Sequence, residues 1–373
     1  MITEELIFQA LKSVQDPDLH KDIVSLGFVK DIVIDGGKVA FKIELTTPAC
    51  PVKDLLKQQS HDAVAKISGV TSVEIIMTSR IPANKGSMNQ SNLLPGVKNV
   101  IAVASGKGGV GKSTVATNLA VALGMLGAKV GLLDADIYGP SIPLMMGTSE
   151  KPGSTDGQRM DPILHHGIQM MMSIGFLMPE EQALVWRGPM VAQALTQLMR
   201  DVAWGELDYL IVDMPPGTGD AQLTLSQVVH LVGAVIVTTP QDVALLDAKR
   251  GVGMFQKVNV PILGIIENMS YYVCPNCNHR TDIFSHGGAQ KAAEKYEVPF
   301  LGEVPLDIET RMAGDAGTPI VLAKPDSVNA KAFMQVARNL ASMVSIIHYG
   351  TAEDRSKALG QKTFFANTRL KVI

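Results

Sequence analysis

The chain has 373 residues, and its 33 basic and 36 acidic residues give a net charge of −3. This length and the 46% hydrophobic content suit one large domain plus a small one, each with a core. The charge balance, with no long run of one sign, argues against nucleic acid as an obligatory partner. No apolar run is long enough to predict a membrane-spanning helix. The first residues lack a secretory signal and three cysteines form no disulfide framework, so we expect a cytoplasmic protein without a membrane partner.

Residues 1–80 are predicted to form a small α/β domain. The turn Asp35-Gly36-Gly37 between two alternating segments is a hairpin signal. In chain order, the predicted elements are a helix at 3–14, strands at 28–34 and 38–45, a helix at 51–67 and a strand at 73–77. Residues 81–95 have no periodicity and are rich in small and polar residues, which predicts a flexible linker.

Residues 96–345 alternate apolar runs with helical stretches, which predicts an α/β domain whose mostly parallel sheet has helices on both faces. Several runs are apolar throughout, as expected for strands covered on both faces. The candidate strands are residues 100–104, 130–134, 209–213, 234–238 and 262–267. Residues 346–373 are predicted to form a loosely ordered C-terminal tail.

The segment from Gly106 to Thr114 carries the strongest functional motif. It matches the phosphate-loop template G-x-x-x-x-G-K-S/T and lies between a β-type run and a helical run. Its glycines let backbone N–H groups surround phosphate oxygens, Lys112 offers charge to the β- and γ-phosphates, and Ser113 offers a hydroxyl to Mg²⁺. We therefore predict a P-loop NTPase sheet. The predicted nucleotide-binding residues of the loop are Gly106, Lys107, Gly108, Gly109, Val110, Gly111, Lys112, Ser113 and Thr114.

Two aspartates follow the next apolar run, in Leu132-Leu133-Asp134-Ala135-Asp136. Ligands of open parallel sheets lie beyond the carboxyl ends of the strands, so both carboxylates are expected to face the nucleotide. Asp136 is a catalytic candidate that would orient the attacking water, and Asp134 is a candidate for the magnesium shell. The alternative is that both aspartates only cap the junction of strand and loop.

Two later strand ends supply further candidates. Asp213 ends an apolar run that resembles a Walker B strand, and it would reach Mg²⁺ through water. The loop after it contains Gly217 and Gly219 and could approach the γ-phosphate. Asn268 follows the run at 262–267, and its amide suits an adenine edge because it offers both a donor and an acceptor. The alternative for Asn268 is an ordinary turn asparagine.

Lys107, directly after Gly106, adds a second lysine to the phosphate loop. This form resembles the deviant Walker A signature of SIMIBI-type ATPases, which include MinD, ParA and the nitrogenase iron protein. The resemblance implies that Lys107 reaches across a dimer interface to the partner's nucleotide, and hence that the working unit is a homodimer. The alternative is a solvated loop lysine.

Cys274 and Cys277 form a C-x-x-C motif. Two thiolates at this spacing can bind one metal, but zinc or an iron–sulfur cluster typically needs four ligands. A twofold dimer would supply the second pair and form a four-cysteine site across the interface. A monomeric zinc site that uses His279 or His286, a thioredoxin-type redox pair and inert cysteines remain as alternatives. The thiolates alone do not distinguish zinc from iron–sulfur.

The nucleotide motifs together with Cys274-Pro275-Asn276-Cys277 closely resemble the Mrp/ApbC family of iron–sulfur cluster carrier ATPases, over nearly the whole chain. Residues 16–19, 23–29 and 45–51 resemble the small iron–sulfur assembly domain that is often fused to bacterial members. The resemblance implies an ATP-hydrolysing homodimer that holds a labile [4Fe–4S] cluster. It also implies exchange with assembly scaffolds and transfer of the cluster to apo-proteins.

Cys50 stands before Pro51 and a predicted helix, whose N-terminus could lower the pKa of its thiol. The family pattern has a cysteine here, which suggests transient handling of metal or cluster. The alternative is a buried small hydrophobic residue.

The predicted function is that of an ATPase whose nucleotide state changes how a homodimer holds a bridging cluster, with ATP, Mg²⁺ and [4Fe–4S] as cofactors. One alternative is a positioning ATPase of the MinD or ParA kind, which would need an amphipathic tail or a basic surface. That function would leave the cysteine pair without a role. The other alternative is a zinc-stabilised regulatory ATPase.

Overall fold

The computed structural model describes residues 2–83, 93–165, 169–178, 188–350 and 355. The chain divides into two compact units, a small one built from Met1–Pro82 with Ala341–Arg355 and a larger one built mainly from Ala83–Leu340. Most of the predicted linker at 81–95 lies outside the described residues, as does the predicted tail at 346–373 from residue 351 onward apart from residue 355. Residues 346–349, which were predicted to belong to the tail, instead end a helix that runs to Tyr349. Over the described part of the chain, no helix combines the length and the apolar character needed to cross a membrane.

The small unit places helices against a sheet in which β4 lies between β3 and β5. Its elements are α1 (Glu4–Leu11), β1 (Gln15–Asp16), β2 (Lys21–Asp22), β3 (Val29–Asp35), β4 (Lys38–Leu45), α2 (Lys53–Ala65) and β5 (Ser72–Ser79). β3 and β4 pair antiparallel, and β5 runs parallel to β4. Burial alternates along β4, with Val39, Phe41, Ile43 and Leu45 turned into the core. This α/β arrangement confirms the fold predicted for the N-terminal region.

The larger unit alternates strands with helices. Its elements are β6 (Val97–Ala104), α3 (Lys112–Met125), β7 (Val130–Asp134), α4 (Ile142–Met145), β8 (Ile163–His165), β9 (Gln169–Ser173), α5 (Gly188–Arg200), β10 (Leu207–Asp213), α6 (Asp220–Val228), β11 (Leu231–Thr238), α7 (Asp242–Lys257), β12 (Ile262–Val273), β13 (Arg280–Thr281), α8 (Gly288–Tyr296), β14 (Phe300–Leu306), α9 (Ile308–Asp315), α10 (Ile320–Ala323) and α11 (Val328–Tyr349). The residues of α11 from Ala341 onward belong to the small unit.

The sheet of the larger unit has the order β13-β12-β11-β6-β10-β7-β9-β8, and β14 pairs with β12. The pairs among β6, β7, β10, β11 and β12 are parallel, whereas β8 and β13 pair antiparallel with their neighbours. β7 and β11 are buried along their whole length, as expected for parallel strands with both faces covered. The mostly parallel sheet of the prediction is therefore confirmed.

The topology brings three chain segments to one edge of this sheet. β6 ends at the phosphate loop, and its neighbour β10 ends at Asp213, which is in register with Val103 of β6. Asp213 is also in register with Asp134, the last residue of β7. Because these strands are parallel, their carboxyl ends meet, and both aspartates lie beside the loop.

β12 differs from its prediction because it continues through Val273 rather than ending at residue 267. Polar residues interrupt its apolar pattern, and the predicted strand was therefore too short. Glu267, Asn268 and Ser270 are nevertheless buried within the strand, where side-chain hydrogen bonds satisfy them. The extended strand therefore joins Asn268, which contacts Val110 of the phosphate loop, to the cysteine motif that follows Val273.

Candidate nucleotide site and cysteine hairpin

The phosphate loop connects β6 to α3, and its shape depends on glycine. Gly109 and Gly111 have φ of 79° and 78°, in the left-handed region that favours glycine. A Cβ on Gly106 would lie 2.2 Å from the backbone of Asp247 on α7. α3 begins at Lys112, so the N–H groups of its first turn are available to an anion at the loop.

A cavity of about 230 Å³ opens above this loop. It is lined by Ser105, Lys107, Gly108, Gly109, Gly111, Lys112, Ser113, Thr114, Asp136, Ser141, Met145 and Pro216. Of the nine predicted loop residues, Gly106 and Val110 do not line the cavity. Val110 is buried instead, with 2% of its surface exposed.

The charges closest to the loop form a buried pair. Lys112 Nζ lies 2.6 Å from Asp213 Oδ1, and the two side chains are 7% and 0% exposed. Lys112 Nζ also lies 3.2 Å from Ser113 Oγ. The second carboxylate oxygen of Asp213 is buried without a hydrogen-bond partner among the described residues. Burial raises the pKa of Asp213, and the contact with Lys112 opposes this rise.

Asp134 is fully buried and is saturated by hydrogen bonds. Its donors are the backbone N–H groups of Asp136 at 3.1 Å, Ser141 at 3.1 Å and Ile142 at 3.2 Å, and the hydroxyl of Ser173 at 3.0 Å. Burial first, and the charge of Asp213 second, raise the pKa of Asp134 to about 7. Asp134 therefore fixes the loop after β7. The partner Ser173 carries no recognisable sequence motif and was not predicted.

Asp136 and Lys107 both line the cavity, and both are half-buried. Burial raises the pKa of Asp136, and the positive charge of Lys112 opposes the rise. The backbone oxygen of Lys107 accepts a hydrogen bond from Ser105 Oγ at 2.9 Å, which fixes the start of the loop. The structure thus gathers the predicted catalytic residues around one cavity.

Asn268 contacts the phosphate loop from β12. Its Nδ2 donates to Val110 O at 2.8 Å, and the residue is 6% exposed. A Cβ on Gly111 would lie 2.3 Å from the same Nδ2. Asn268 is therefore a buried strand residue and not a turn asparagine, while its predicted contact with adenine stays a prediction.

The cysteine motif forms the turn between β12 and β13. Cys274 N donates to His279 O at 3.0 Å, and Asn278 N donates to Cys274 O at 2.8 Å. Asn278 has φ of 57°, which asparagine tolerates better than most residues. Cys274 is half-exposed and Cys277 is exposed. The backbone N–H groups of Asn276 and Cys277 lower the pKa of Cys274, which favours a thiolate ligand.

Two residues that the sequence linked to metal have other surroundings. His286 Nδ1 lies 2.9 Å from Ser270 Oγ, beside β12. Cys50 belongs to the small unit, where burial raises the pKa of its thiol to about 11. The prediction that a helix N-terminus lowers this pKa is wrong, because the desolvation of the half-buried thiol outweighs its hydrogen bond with the backbone of Val52.

Comparison with known proteins finds a family match in each of the two units. The family described as NUBPL iron-transfer P-loop NTPase matches residues 96–341, and the family described as iron-sulfur cluster assembly protein matches residues 4–75. The chain is 50% identical over 351 residues to the iron-sulfur cluster carrier protein of Synechocystis sp., covering 93% of this chain and 99% of the relative. It is 51% identical over 290 residues to the protein of the same description from Escherichia coli K12, covering 78% of each chain.

A solved structure is also similar to the larger part of the chain. It is the nucleotide-binding protein of Archaeoglobus fulgidus, described as a complex with ADP in which cobalt was found. The sequence identity is 42% and the TM-score is 0.54, over 61% of this chain and 89% of the other.

Proposed function

Because this chain belongs to the family of iron–sulfur cluster carrier proteins built on an iron-transfer P-loop NTPase domain, we propose that it hydrolyses ATP and carries a [4Fe–4S] cluster to apo-proteins. The observation that carries this proposal is the course of β12. This strand contacts the phosphate loop through Asn268 and runs directly into the hairpin of Cys274 and Cys277. A residue that contacts the phosphate loop and a pair of thiols are therefore joined by one strand.

The surroundings of the cavity suit phosphate and magnesium. Lys112 and the N–H groups at the start of α3 hold the β- and γ-phosphates. Asp213 Oδ2, buried and unpartnered among the described residues, and Ser113 Oγ are hard oxygen ligands of the kind that Mg²⁺ prefers. When bound, Mg²⁺ neutralises charge on the β- and γ-phosphates. Asp136 orients the attacking water, and Lys107 contacts the nucleotide of a second protomer.

The cluster is the cargo of this protein, and its ligand count leads to a dimer. One hairpin offers two thiols. Cys50 belongs to the other compact unit, and burial raises the pKa of its thiol. A cluster with four cysteine ligands therefore needs the hairpins of two protomers. The lowered pKa of Cys274 favours metal binding at neutral pH.

The experiment is anoxic reconstitution with iron and sulfide, combined with a native mass measurement and analysis for iron, sulfide and zinc. We expect about four irons per dimer, the content of one [4Fe–4S] cluster held by four cysteines, and activation of an apo-enzyme that needs a cluster. Cys274→Ala and Cys277→Ala should each lose the cluster while retaining ATP binding. A monomer that retains a complete cluster at these cysteines would refute the bridging arrangement.

A structural metal site is the second candidate, because the relative from A. fulgidus is described as containing cobalt. The same metal analysis separates the two candidates. Stoichiometric zinc in freshly isolated anoxic protein, with no uptake of iron, would favour the structural site and overturn the carrier proposal.

A further inference from the structure

A polar network lies at the base of the cysteine hairpin and involves side chains from several elements. Its members are Glu267 and Ser270 on β12, Arg280 on β13, His286 before α8, and Glu303 on β14. None of these side chains lines the nucleotide cavity. The network therefore needs an explanation of its own.

Glu267 is the fixed end of the network. Its side chain is 0% exposed, and its oxygens accept from Gly287 N at 2.9 Å, Ala289 N at 2.6 Å and Ser270 Oγ at 2.6 Å. The two backbone donors belong to the beginning of α8, where the helix dipole favours an anion. Three donors and the helix terminus thus compensate the buried carboxylate and hold it in one position.

The hydrogen bonds of Ser270 determine the state of His286. Ser270 Oγ lies 2.6 Å from Glu267 Oε1, 2.9 Å from His286 Nδ1 and 3.2 Å from Glu303 Oε2. A hydroxyl has one proton, and the shortest of these contacts assigns it to Glu267. Ser270 then accepts from Nδ1–H of His286, which leaves Nε2 with a lone pair. Arg280 Nη2 lies 3.0 Å from Nε2 and 3.1 Å from Nδ1 of His286. Since Nδ1 donates to Ser270, Nε2 is the ring nitrogen that can accept from the guanidinium.

Arg280 connects this chain of hydrogen bonds to the cysteines. It is paired in register with Val273, the residue directly before Cys274. Its guanidinium lies over the ring of Tyr271, with 3.8 Å from Cζ to the ring centroid. Tyr271 also packs edge-on against His286, with 6.1 Å between the ring centroids. Arg280 is therefore held by an aromatic face, by His286 and by Asp282, at the strand position opposite the residue that precedes Cys274.

A metal ion is the competing occupant of this network. Ligand atoms of Glu267, His286 and Glu303 all lie within 4.8 Å of one another. However, the oxygens of Glu267 already accept three hydrogen bonds. The nitrogen of His286 nearest the two carboxylates is Nδ1, and Arg280 Nη2 lies 3.1 Å from it. A positive charge, that of Arg280, therefore already lies against His286, and it is paired with Asp282 at 3.3 Å from Nε to Oδ1.

We propose that Arg280 and His286 are positioning residues, which hold the cysteine hairpin in its ligand geometry through Ser270 and the buried Glu267. The proposal rests on the cluster-carrying function proposed above. Arg280 and His286 touch neither cluster nor nucleotide, and they act through the backbone of the hairpin. Loss of either side chain leaves the hairpin held by its backbone hydrogen bonds alone, so the two thiols no longer keep the arrangement that a cluster needs.

The test compares Arg280→Gln, Arg280→Lys, His286→Ala and His286→Gln in the full chain. Each variant is reconstituted anoxically, and iron release to a chelator is followed together with the absorption and electron paramagnetic resonance spectra of the cluster. Arg280→Gln and His286→Ala should release iron about tenfold faster, the factor expected when a hydrogen bond to a charged group is lost. Arg280→Lys retains the charge and His286→Gln retains an acceptor for Arg280, so both should recover part of the loss.

The controls separate positioning from unfolding. Arg311→Gln makes the same substitution in an exposed Arg311–Asp315 pair on α9 and should release iron at the native rate. ATP hydrolysis should be unchanged in every variant, because none of these residues lines the nucleotide cavity. If Arg280→Gln loses hydrolysis and does not fold, the comparison of His286→Ala with His286→Gln decides the question.

A second readout needs no cluster. The hairpin is closed by the backbone hydrogen bonds from Cys274 N to His279 O and from Asn278 N to Cys274 O. In Arg280→Gln and His286→Ala, these two amides should exchange hydrogen faster, because a released hairpin opens these bonds more often. Native chain that takes up no iron would defeat the carrier function, while this exchange rate would still test the positioning role. Native rates of both iron release and hydrogen exchange in these variants would overturn the proposal. So would a metal ion that Cys274→Ala/Cys277→Ala protein binds and that Glu303→Gln removes.

Discussion

The two lysines of the phosphate loop have different surroundings. Lys112 is buried and paired with Asp213, whereas Lys107 is half-exposed on the wall of the cavity. A buried cation beside the loop acts on the nucleotide of its own protomer. A half-exposed one can extend to a nucleotide in another chain, which is the role proposed for Lys107.

Substitution of each lysine should therefore have a different effect. Lys112→Ala should lower the rate of ATP hydrolysis by about 10²-fold or more and weaken binding, because it removes charge from the phosphates. It should also lower the free energy of unfolding by about 3 kcal/mol, because Asp213 is left buried without its partner. Lys107→Ala should reduce hydrolysis while nucleotide affinity is retained. Steady-state kinetics, nucleotide titration and thermal unfolding measure these effects.

Lys331→Ala, at an exposed position of α11, is the control for the loss of a lysine and should leave hydrolysis unchanged. Full hydrolysis by Lys107→Ala protein would refute the proposal that Lys107 acts across the dimer interface.

The thiols of Cys274 and Cys50 should respond differently to pH. Hydrogen bonds from the hairpin backbone lower the pKa of Cys274, and burial raises the pKa of Cys50 to about 11. A lowered pKa means that the reactive thiolate is present at a lower pH. As the pH rises, alkylation by iodoacetamide should therefore reach Cys274 first and Cys50 only in strongly alkaline solution. Mass spectrometry of the peptides resolves the order, and equal rates at neutral pH would contradict both assignments.

At the scale of an element, β12 connects the nucleotide site to the cysteine hairpin. Its pairing with β14 is irregular between Asn268 and Tyr272, and Met269 has φ of 54°, which is uncommon for a residue other than glycine. This bulge separates Asn268, which contacts the phosphate loop, from Ser270, which belongs to the network under the hairpin. Bulges re-aim side chains in this way next to functional sites.

Asn268→Ala should weaken nucleotide binding by about tenfold, the factor expected when one hydrogen bond that holds the phosphate loop is lost. Asn339→Ala is the matched control, because Asn339 Nδ2 donates in the same way to Leu301 O at 2.9 Å but does not contact the loop. The two variants should lose comparable stability, and only Asn268→Ala should lose affinity. Isothermal titration and thermal unfolding provide the comparison, and equal affinity in both variants would show that Asn268 does not support the loop.

At the scale of the whole molecule, the end of α11 belongs to the small unit. Within that unit Ser342 Oγ donates to Asp18 Oδ2 at 2.7 Å, and Thr46 Oγ1 donates to Ser345 Oγ at 2.8 Å. The small unit is therefore built from two stretches that are far apart in sequence, residues 1–82 and 341–355. The larger unit has its own sheet and contains the nucleotide cavity and the cysteine hairpin.

A chain that begins at Leu94 should fold and hydrolyse ATP, because the larger unit has its own core. The end of α11 should then lose protection, since Asp18 and Thr46 are absent. Hydrogen exchange should rise at residues 341–349 and stay unchanged in the strands of the larger unit. Inactive or insoluble protein would show that residues 1–93 are needed for the core of the larger unit.

The sequence alone determined the features whose residues are neighbours along the chain. The glycines and Lys112 of the phosphate loop act within one turn of backbone, and two cysteines three positions apart form their own hairpin. Continuous apolar runs predicted the buried parallel strands, because a strand covered on both faces has no polar alternation. For the same reason β12 was predicted too short, since its buried polar residues are satisfied by distant partners.

Only the tertiary structure decided contacts between residues far apart in sequence. Lys112 pairs with Asp213 across 101 positions, and Asn268 reaches Val110 across 158. The order of the strands in the sheet determines which of these residues meet, and no local sequence pattern encodes that order. The pKa of Cys50 shows the same limit, because the burial of a half-exposed site depends on elements that pack over it. Partners such as Ser173 for Asp134, and His286 for Arg280, exist because folding brings different strands and loops to one place.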